Sequence, residues 1–225
     1  MDYVFPPTPV PSLPVRGMAA RFPVRRIFCV GRNYAEHARE MGHDPDREPP
    51  FFFTKPGDAL VQDGMQIAYP PATADLHHEA ELVVAIRKGG AGIAVAQALD
   101  HVFGYAAGND LTRRDMQAAA KAARRPWDMS KGFDASAVVG TIVPGQAVPE
   151  GAIRCLVAGA VRQEAALADM IWPVADVIAH LSGLVRLEPG DLIMTGTPAG
   201  VGAIARGETC VVQIDGLPQA VVTVI

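Results

Sequence analysis

Glycine and proline interrupt this chain so often that only short elements of secondary structure fit between them. The sequence has 22 Gly and 19 Pro among 225 residues, scattered without a period, which excludes collagen-like and coiled-coil folds. The apolar runs between these breaks are short and typical of buried strands, as in residues 27–30, 81–86, 191–194 and 209–214. The pattern predicts a mostly β fold with a few helices (α+β), and not a doubly wound sheet.

Three helices are predicted among these strands. Asn33 is placed to cap a helix that runs to about Met41, with Glu36 three residues after the cap. A second helical pattern covers residues 112–125, and a third helix follows Trp172 and ends before Gly183.

The chain is predicted to form one domain with a short arm. Residues 1–24 are proline-rich and extended in character, and residues 25–225 contain no linker or repeat, so they are expected to form a single domain. The net charge of −4 excludes a broad basic surface, and therefore a nucleic-acid partner. The uncharged residues 135–149 are too few to span a membrane. With no targeting segment and no CxxC pair, a cytoplasmic protein is expected.

Two glutamates at the start of a predicted strand form a candidate metal site. Glu79 and Glu81 are two residues apart, so the period of a strand directs both carboxylates to one face, with their Cα atoms about 6–7 Å apart. Such a pair can converge on Mg²⁺, Mn²⁺ or Ca²⁺, which prefer oxygen ligands. Two solvated glutamates are the alternative interpretation. Asp110, before the second helix, is either a helix cap or a third metal ligand.

Three further features have both a functional and a structural interpretation. His37 and Glu40 are three residues apart on the first helix, and a carboxylate that holds one imidazole nitrogen leaves the other as a general base. The same pair is also common on solvated helix faces. Lys131, among small and apolar residues, could hold a substrate carboxylate or an oxyanion. The glycine-rich residues 196–202 either bind an anion or form a plain turn.

Five segments together resemble one family, the fumarylacetoacetate hydrolases. Their sequences are CVGRNY (29–34), HEAEL (78–82), GNDLTRRD (108–115), SK (130–131) and GDLIMTGTPAGVG (190–202), and they occur in the order of that family. The resemblance extends over nearly the whole chain from Pro23 and is strongest to the short, single-domain branch. It implies a fold of rolled, mixed β-sheets and a homodimer.

The resemblance also implies roles for single residues. Glu79, Glu81 and Asp110 would bind Mg²⁺ or Mn²⁺, and His37 with Glu40 would activate water. The remaining implied residues are Lys131 and Gln117, which would polarise the substrate, and Thr197, Arg32 and Arg114, which would bind it.

The implied reaction is metal-dependent hydrolysis of a C–C bond in an acylpyruvate. Residues 41–55 resemble the subgroup that cleaves fumarylpyruvate in gentisate-type aromatic catabolism, so the expected substrate is this small dicarboxylic 2-oxoacid. Two alternatives on the same fold are an oxaloacetate decarboxylase and a 2-hydroxyhepta-2,4-diene-1,7-dioate isomerase/decarboxylase. A third alternative, from a different functional class, is a non-catalytic oxoacid-binding protein.

Overall fold

A computed structural model describes residues 2–40 and 49–225. Within this part of the chain, strands predominate and the longest α-helix has only 11 residues. The predicted mostly β fold with a few helices is confirmed.

The elements have the following bounds. The strands are β1 (Ser12–Leu13), β2 (Phe22–Pro23), β3 (Arg26–Gly31), β4 (Phe51–Lys55), β5 (Leu60–Gln62), β6 (Met65–Ile67), β7 (Leu76–His78), β8 (Ala80–Ile86), β9 (Val102–Asp110), β10 (Thr112–Arg113), β11 (Ala137–Val139), β12 (Val143–Pro144), β13 (Ala152–Val157), β14 (Ala160–Ala166), β15 (Asp191–Met194), β16 (Gly202–Ala203), β17 (Thr209–Ile214) and β18 (Ala220–Val224). The α-helices are α1 (Ala35–Glu40), α2 (Arg114–Ala122), α3 (Asp128–Lys131) and α4 (Val174–Leu184), and 3₁₀-helices cover Gly57–Ala59, Val95–His101 and Leu167–Asp169.

The largest sheet is mixed and runs through the centre of the molecule. Its strand order is β4-β3-β15-β8-β9-β11-β5, with β12 added beside β9. Two of its pairs, β15 with β3 and β11 with β5, are parallel, and the others are antiparallel. A second mixed sheet has the order β14-β13-β17-β18-β6, and a small antiparallel sheet has the order β10-β7-β16.

Strand β8 of the central sheet is buried on both of its faces. All seven of its residues are buried, and alternate side chains enter different cores. Leu82 and Val84 pack in the core that includes the second sheet, whereas Val83 and Ala85 pack in the other core. A strand covered on both sides has a nearly continuous apolar sequence, as observed here.

The N-terminal arm covers the second of these cores. Its strands β1 and β2 pair with each other, and Leu13, Val15 and Phe22 are buried against the central sheet. Residues 2–10, by contrast, are exposed. From β1 onward, the arm therefore packs against the central sheet.

Several predicted element boundaries differ from the structure. The second helix begins at Arg114 because the two preceding residues pair with β7 as β10, and it ends at Ala122. Gly183 lies inside α4, which ends one residue later. Asn33 is not a helix cap, since its side-chain oxygen accepts from the Trp172 N–H. The predicted helix end at Met41 and part of the 41–55 stretch lie outside the described residues.

Candidate active site

The predicted site residues gather around one cavity. Eight of the ten line it directly: Arg32, His37, Glu79, Glu81, Arg114, Gln117, Lys131 and Thr197. The other two contact residues of the lining, Glu40 through His37 and Asp110 through Lys131. The structure thus brings together side chains from the ends of β3, β8, β9 and β15 and from α1, α2 and α3.

Antiparallel pairing of β8 and β9 brings the three carboxylates together. Ala80 is opposite Asn109, so the start of β8 lies beside the end of β9, and the Asp110 N–H donates to the Glu79 carbonyl at 2.9 Å. One ligand oxygen each of Glu79, Glu81 and Asp110 lies within 4.8 Å of the others, and all three residues are buried. An all-oxygen donor set of this size suits Mg²⁺ or Mn²⁺.

Three cations compensate two of these carboxylates. Lys131 Nζ lies 2.6 Å from Glu79 Oε2 and 2.9 Å from Asp110 Oδ2, and Lys55 Nζ lies 2.7 Å from Asp110 Oδ1. Arg114 Nη2 lies 2.6 Å from Glu79 Oε1. Burial by itself would raise the pKa of Glu79, but Lys131 and Arg114 overcome this effect and lower it. Lys55 was not predicted, although a lysine that ends an apolar strand was a possible signal.

Glu81 is the carboxylate that lacks a cationic partner. Its Oε2 accepts from the Gly196 N–H at 2.7 Å, and no side chain in the described ranges forms an ion pair with it. Burial, followed by the charges of Asp110 and Glu79, raises the pKa of Glu81 well above its usual value. A buried carboxylate in this position is what a divalent cation would neutralise, so the residues present fit a metal.

The loop after β15 is shaped to reach Glu81. Gly196 has φ +96°, a conformation that favours glycine, and a Cβ there would lie 2.7 Å from Asn33 Cβ. Asn33 holds the loop by donating from Nδ2 to the Thr195 carbonyl at 2.7 Å. This arrangement places the Gly196 N–H on Glu81 and the Thr197 side chain in the cavity lining.

His37 and Glu40 form a pair at the cavity wall. Their Nδ1 and Oε2 atoms are 3.1 Å apart, and both carboxylate oxygens of Glu40 accept from the Gly200 N–H at 3.2 Å. Because a carboxylate accepts from Nδ1, the imidazole carries its proton there and Nε2 is left as an acceptor. Burial is the main reason that the pKa of His37 is lowered below 6.5, so the ring is neutral near pH 7.

Arg114 and Gln117 hold each other on α2. The Arg114 guanidinium donates to Gln117 Oε1 at 2.6 Å as well as to Glu79. Because the amide oxygen of Gln117 is engaged, its NH₂ group is the part left to donate toward the cavity. Arg114 contacts Gln117 and Glu79 in this structure. Its role in binding substrate, which the resemblance implies, stays a prediction.

Gln163 fixes the hydroxyl of Thr197 and was missed by sequence reasoning. Its Nε2 donates to Thr197 Oγ1 and to the Pro198 carbonyl, both at 2.8 Å, and its Oε1 accepts from the Ala80 N–H at 3.0 Å. His78 Nδ1 is 2.9 Å from the same Oε1. Since Thr197 Oγ1 already accepts a hydrogen bond, its own proton is left to be donated to another group.

The family resemblance implies that Thr197 binds the substrate, and on that basis we expect Gln163→Glu to weaken substrate binding. A carboxylate cannot donate to Thr197 Oγ1 and would instead accept its hydroxyl proton, so the hydroxyl would turn from the cavity. KM should rise about tenfold, corresponding to roughly 1.4 kcal/mol, with a smaller change in kcat. Steady-state kinetics measure this, with the exposed Gln219→Glu as the matched control. An unchanged KM in Gln163→Glu would show that Thr197 does not depend on this bond.

Aromatic side chains form part of the cavity lining. Phe51, Phe53 and Trp127 are part of its lining, and the rings of Phe51 and Trp127 meet edge to face with centroids 5.4 Å apart. Lys121 also lines the cavity, with its Nζ 5.2 Å from the Trp127 ring centroid. None of these four residues was predicted as a site residue, because their roles depend on packing between β4, α2 and the turn before α3.

Comparison with known proteins identifies the family. Residues 26–225 match the model of the fumarylacetoacetate (FAA) hydrolase C-terminal domain. This chain belongs to the fumarylacetoacetate hydrolase family. The predicted family is therefore confirmed.

Individual members of the family are similar over most of their length. A fumarylpyruvate hydrolase of Ralstonia sp is 43% identical over 188 residues, covering 82% of this chain and 98% of the relative. A mitochondrial oxaloacetate decarboxylase of Dictyostelium discoideum is 40% identical, covering 86% and 90%. The crystal structure of fumarylpyruvate hydrolase from Pseudomonas aeruginosa in complex with Mn²⁺ and pyruvate is 48% identical, with a TM-score of 0.96, and covers 100% of this chain and 99% of that one.

Among the described residues, no helix is both long enough and apolar enough to cross a membrane.

Proposed function

We propose that this protein hydrolyses fumarylpyruvate to fumarate and pyruvate with a divalent cation. The observation that carries the proposal is the buried His37–Glu40 pair on the same cavity as the three carboxylates. A cation site alone would serve any 2-oxoacid, whereas an oriented neutral imidazole provides the base that hydrolysis needs. The fumarylpyruvate hydrolases that resemble this chain support the same substrate.

A divalent cation at Glu79, Glu81 and Asp110 would supply Lewis acidity to the 2-oxo group of the substrate. The three carboxylates and their partners Lys55, Lys131 and Arg114 are neutral as a group. A bound dication therefore makes the site positive, which favours a substrate with more than one carboxylate.

The side chains around the cavity then have distinct tasks. His37 Nε2 takes a proton from water while Glu40 stabilises the resulting imidazolium at Nδ1. The Gln117 amide and the Lys131 ammonium, which also touches Glu79 and Asp110, polarise the carbonyl under attack. The Thr197 hydroxyl, fixed by Gln163, donates to the substrate carboxylate.

The direct test follows fumarylpyruvate by its ultraviolet absorbance with Mg²⁺ or Mn²⁺, and then with excess EDTA. Metal-dependent loss of substrate with equal amounts of fumarate and pyruvate is the expected result. If fumarylpyruvate is stable in the presence of metal and enzyme, the proposed hydrolase function is wrong.

Oxaloacetate decarboxylation is the second candidate, because the Dictyostelium relative with 40% identity is named for it. That reaction needs the 2-oxoacid site but no activated water. Metal-dependent release of pyruvate from oxaloacetate, without loss of fumarylpyruvate, would favour it over hydrolysis. Binding of either oxoacid without turnover would instead indicate a non-catalytic binding protein.

The finer expectations are part of the same proposal. We propose Mg²⁺ as an effective metal alongside Mn²⁺, a homodimer as the assembly, and a cytoplasmic enzyme of gentisate-type aromatic catabolism. Neither nucleic acid nor a membrane is proposed as a partner, in keeping with the net charge of −4. Residues 25–225 would form the catalytic domain, with residues 1–24 as its arm.

A further inference from the structure

We infer that Lys121, with Arg32 beside it, forms a subsite for the carboxylate at the far end of the acyl group. This subsite would select acylpyruvates whose acyl group ends in an anion over those that end in a methyl group. The inference rests on the proposed function, since it concerns the substrate of the same cavity.

Lys121 occupies the outer position of a polar row on α2. Arg114, Gln117 and Lys121 are spaced at i, i+3 and i+7, which places them on one helix face, and all three line the cavity. With a rise of about 1.5 Å per residue, Lys121 lies about 10 Å along the helix axis from Arg114. Arg114 contacts Glu79 in the carboxylate cluster, so Lys121 is at the opposite end of the row. An extended diacid with one end at the cluster would direct its other end toward Lys121.

Lys121 is a partly buried cation that pairs with no carboxylate in the described part of the chain. It forms no ion pair with any carboxylate in residues 2–40 and 49–225, and its described contact is with the Trp127 ring. Burial, followed by the neighbouring charges of Arg114 and Arg32, lowers its pKa. An ammonium group placed among other cations and partly removed from water is stabilised when an anion binds beside it.

Arg32 adds a second cation to the same cavity lining. Its Cζ lies 5.2 Å from the Phe51 ring centroid, and it lines the cavity together with Lys121. Its φ of +58° is unusual for a residue other than glycine. The preceding Gly31 lies so close to Phe51 that a Cβ there would be 1.9 Å from the ring. The backbone therefore passes close to the Phe51 ring at Gly31 and turns at Arg32, whose side chain lines the cavity.

The aromatic residues make this subsite selective. Phe51 and Trp127 line the same cavity as Lys121 and the glutamates of the carboxylate cluster, and their rings meet edge to face. Their rings exclude water and suit a flat, unsaturated acyl chain, and a reduced water content strengthens the attraction between an ammonium and a carboxylate. An acyl group that ends in a methyl group would fit the rings but leave Lys121 unpaired.

The test compares two substrates in one pair of variants. For Lys121→Met, kcat/KM for fumarylpyruvate should fall about 10- to 100-fold, whereas kcat/KM for acetylpyruvate, which ends in a methyl group, should change less than about twofold. Lys88→Met is the matched control, because Lys88 is the exposed lysine among the four of the chain. Lys121→Arg should retain most of the preference for fumarylpyruvate.

Other outcomes separate the possible failures. Suppose that wild type cleaves fumarylpyruvate. If Lys121→Met then lowers kcat/KM for both substrates equally, or for neither, the proposed carboxylate subsite is wrong and the proposed function stands. If wild type cleaves acetylpyruvate but not fumarylpyruvate, both the subsite and the proposed substrate are wrong. An unchanged thermal midpoint of Lys121→Met would show that any selective loss does not reflect misfolding.

Discussion

Glu81→Gln is expected to abolish metal-dependent turnover without destabilising the metal-free protein. Glu81 is buried beside Asp110 and Glu79 and has no ion pair in the described part of the chain. An amide at this position removes charge repulsion, and its oxygen can still accept from the Gly196 N–H. The same change removes one of three carboxylate ligands. Because a catalytic metal contributes several kcal/mol, turnover should fall at least about a thousandfold.

Thermal unfolding with EDTA and with Mn²⁺ separates these two effects. Wild type should gain stability with Mn²⁺, because a ligand that binds only the folded state raises the unfolding midpoint. Glu81→Gln should unfold at or above the wild-type temperature in EDTA and show little response to Mn²⁺. A variant that keeps both its Mn²⁺ response and its turnover would exclude Glu81 as a ligand.

Glu79→Gln is the informative comparison for this variant. Glu79 pairs with Lys131 and Arg114, so its neutralisation removes the carboxylate that Arg114 pairs with and leaves Lys131 with Asp110 alone. Removing one member of a buried ion pair costs about 3–5 kcal/mol. Glu79→Gln should therefore unfold at a lower temperature than wild type in EDTA, whereas Glu81→Gln should not.

The sequence predicted best those features that depend on local spacing. Asp191–Met194 and Thr209–Ile214 are strands with the predicted bounds. They are short, apolar and flanked by turn residues. The spacing of two residues between Glu79 and Glu81 correctly predicted that their carboxylates lie close together.

Features that depend on distant partners could not be predicted in this way. Lys55 donates to the Leu111 carbonyl 56 residues away, and His78 meets Gln163 across 85 residues. Neither partner leaves a periodic signal in the chain. Asn33 was predicted to be a helix cap because a helical pattern follows it in the sequence. Its side-chain amide instead donates to the carbonyl of Trp172, 139 residues away. Tertiary contacts also turned the predicted start of the second helix into strand β10.

His37→Asn is expected to lower kcat strongly by slowing the chemical step, without affecting metal binding. Asparagine can still donate a hydrogen bond but cannot accept a proton from water, so kcat for fumarylpyruvate should fall about 10²- to 10⁴-fold. The Mn²⁺-dependent rise in unfolding temperature should remain, because His37 is not a member of the carboxylate cluster. Glu40→Gln should have a smaller effect, since it leaves the imidazole in place and removes only the stabilising charge at Nδ1.

The pH dependence of wild type provides the control for this assignment. The base must be unprotonated, so kcat/KM should decline as the pH falls through the pKa of His37. Burial lowers that pKa, so the decline should occur below pH 6.5. This acidic limb should be absent from the residual activity of His37→Asn, and its persistence would assign the limb to another group.

Oxaloacetate decarboxylation, if wild type performs it, should survive in His37→Asn because it needs no activated water. Loss of one reaction with retention of the other would show that the His37–Glu40 pair, and not the cation site, makes this cavity hydrolytic.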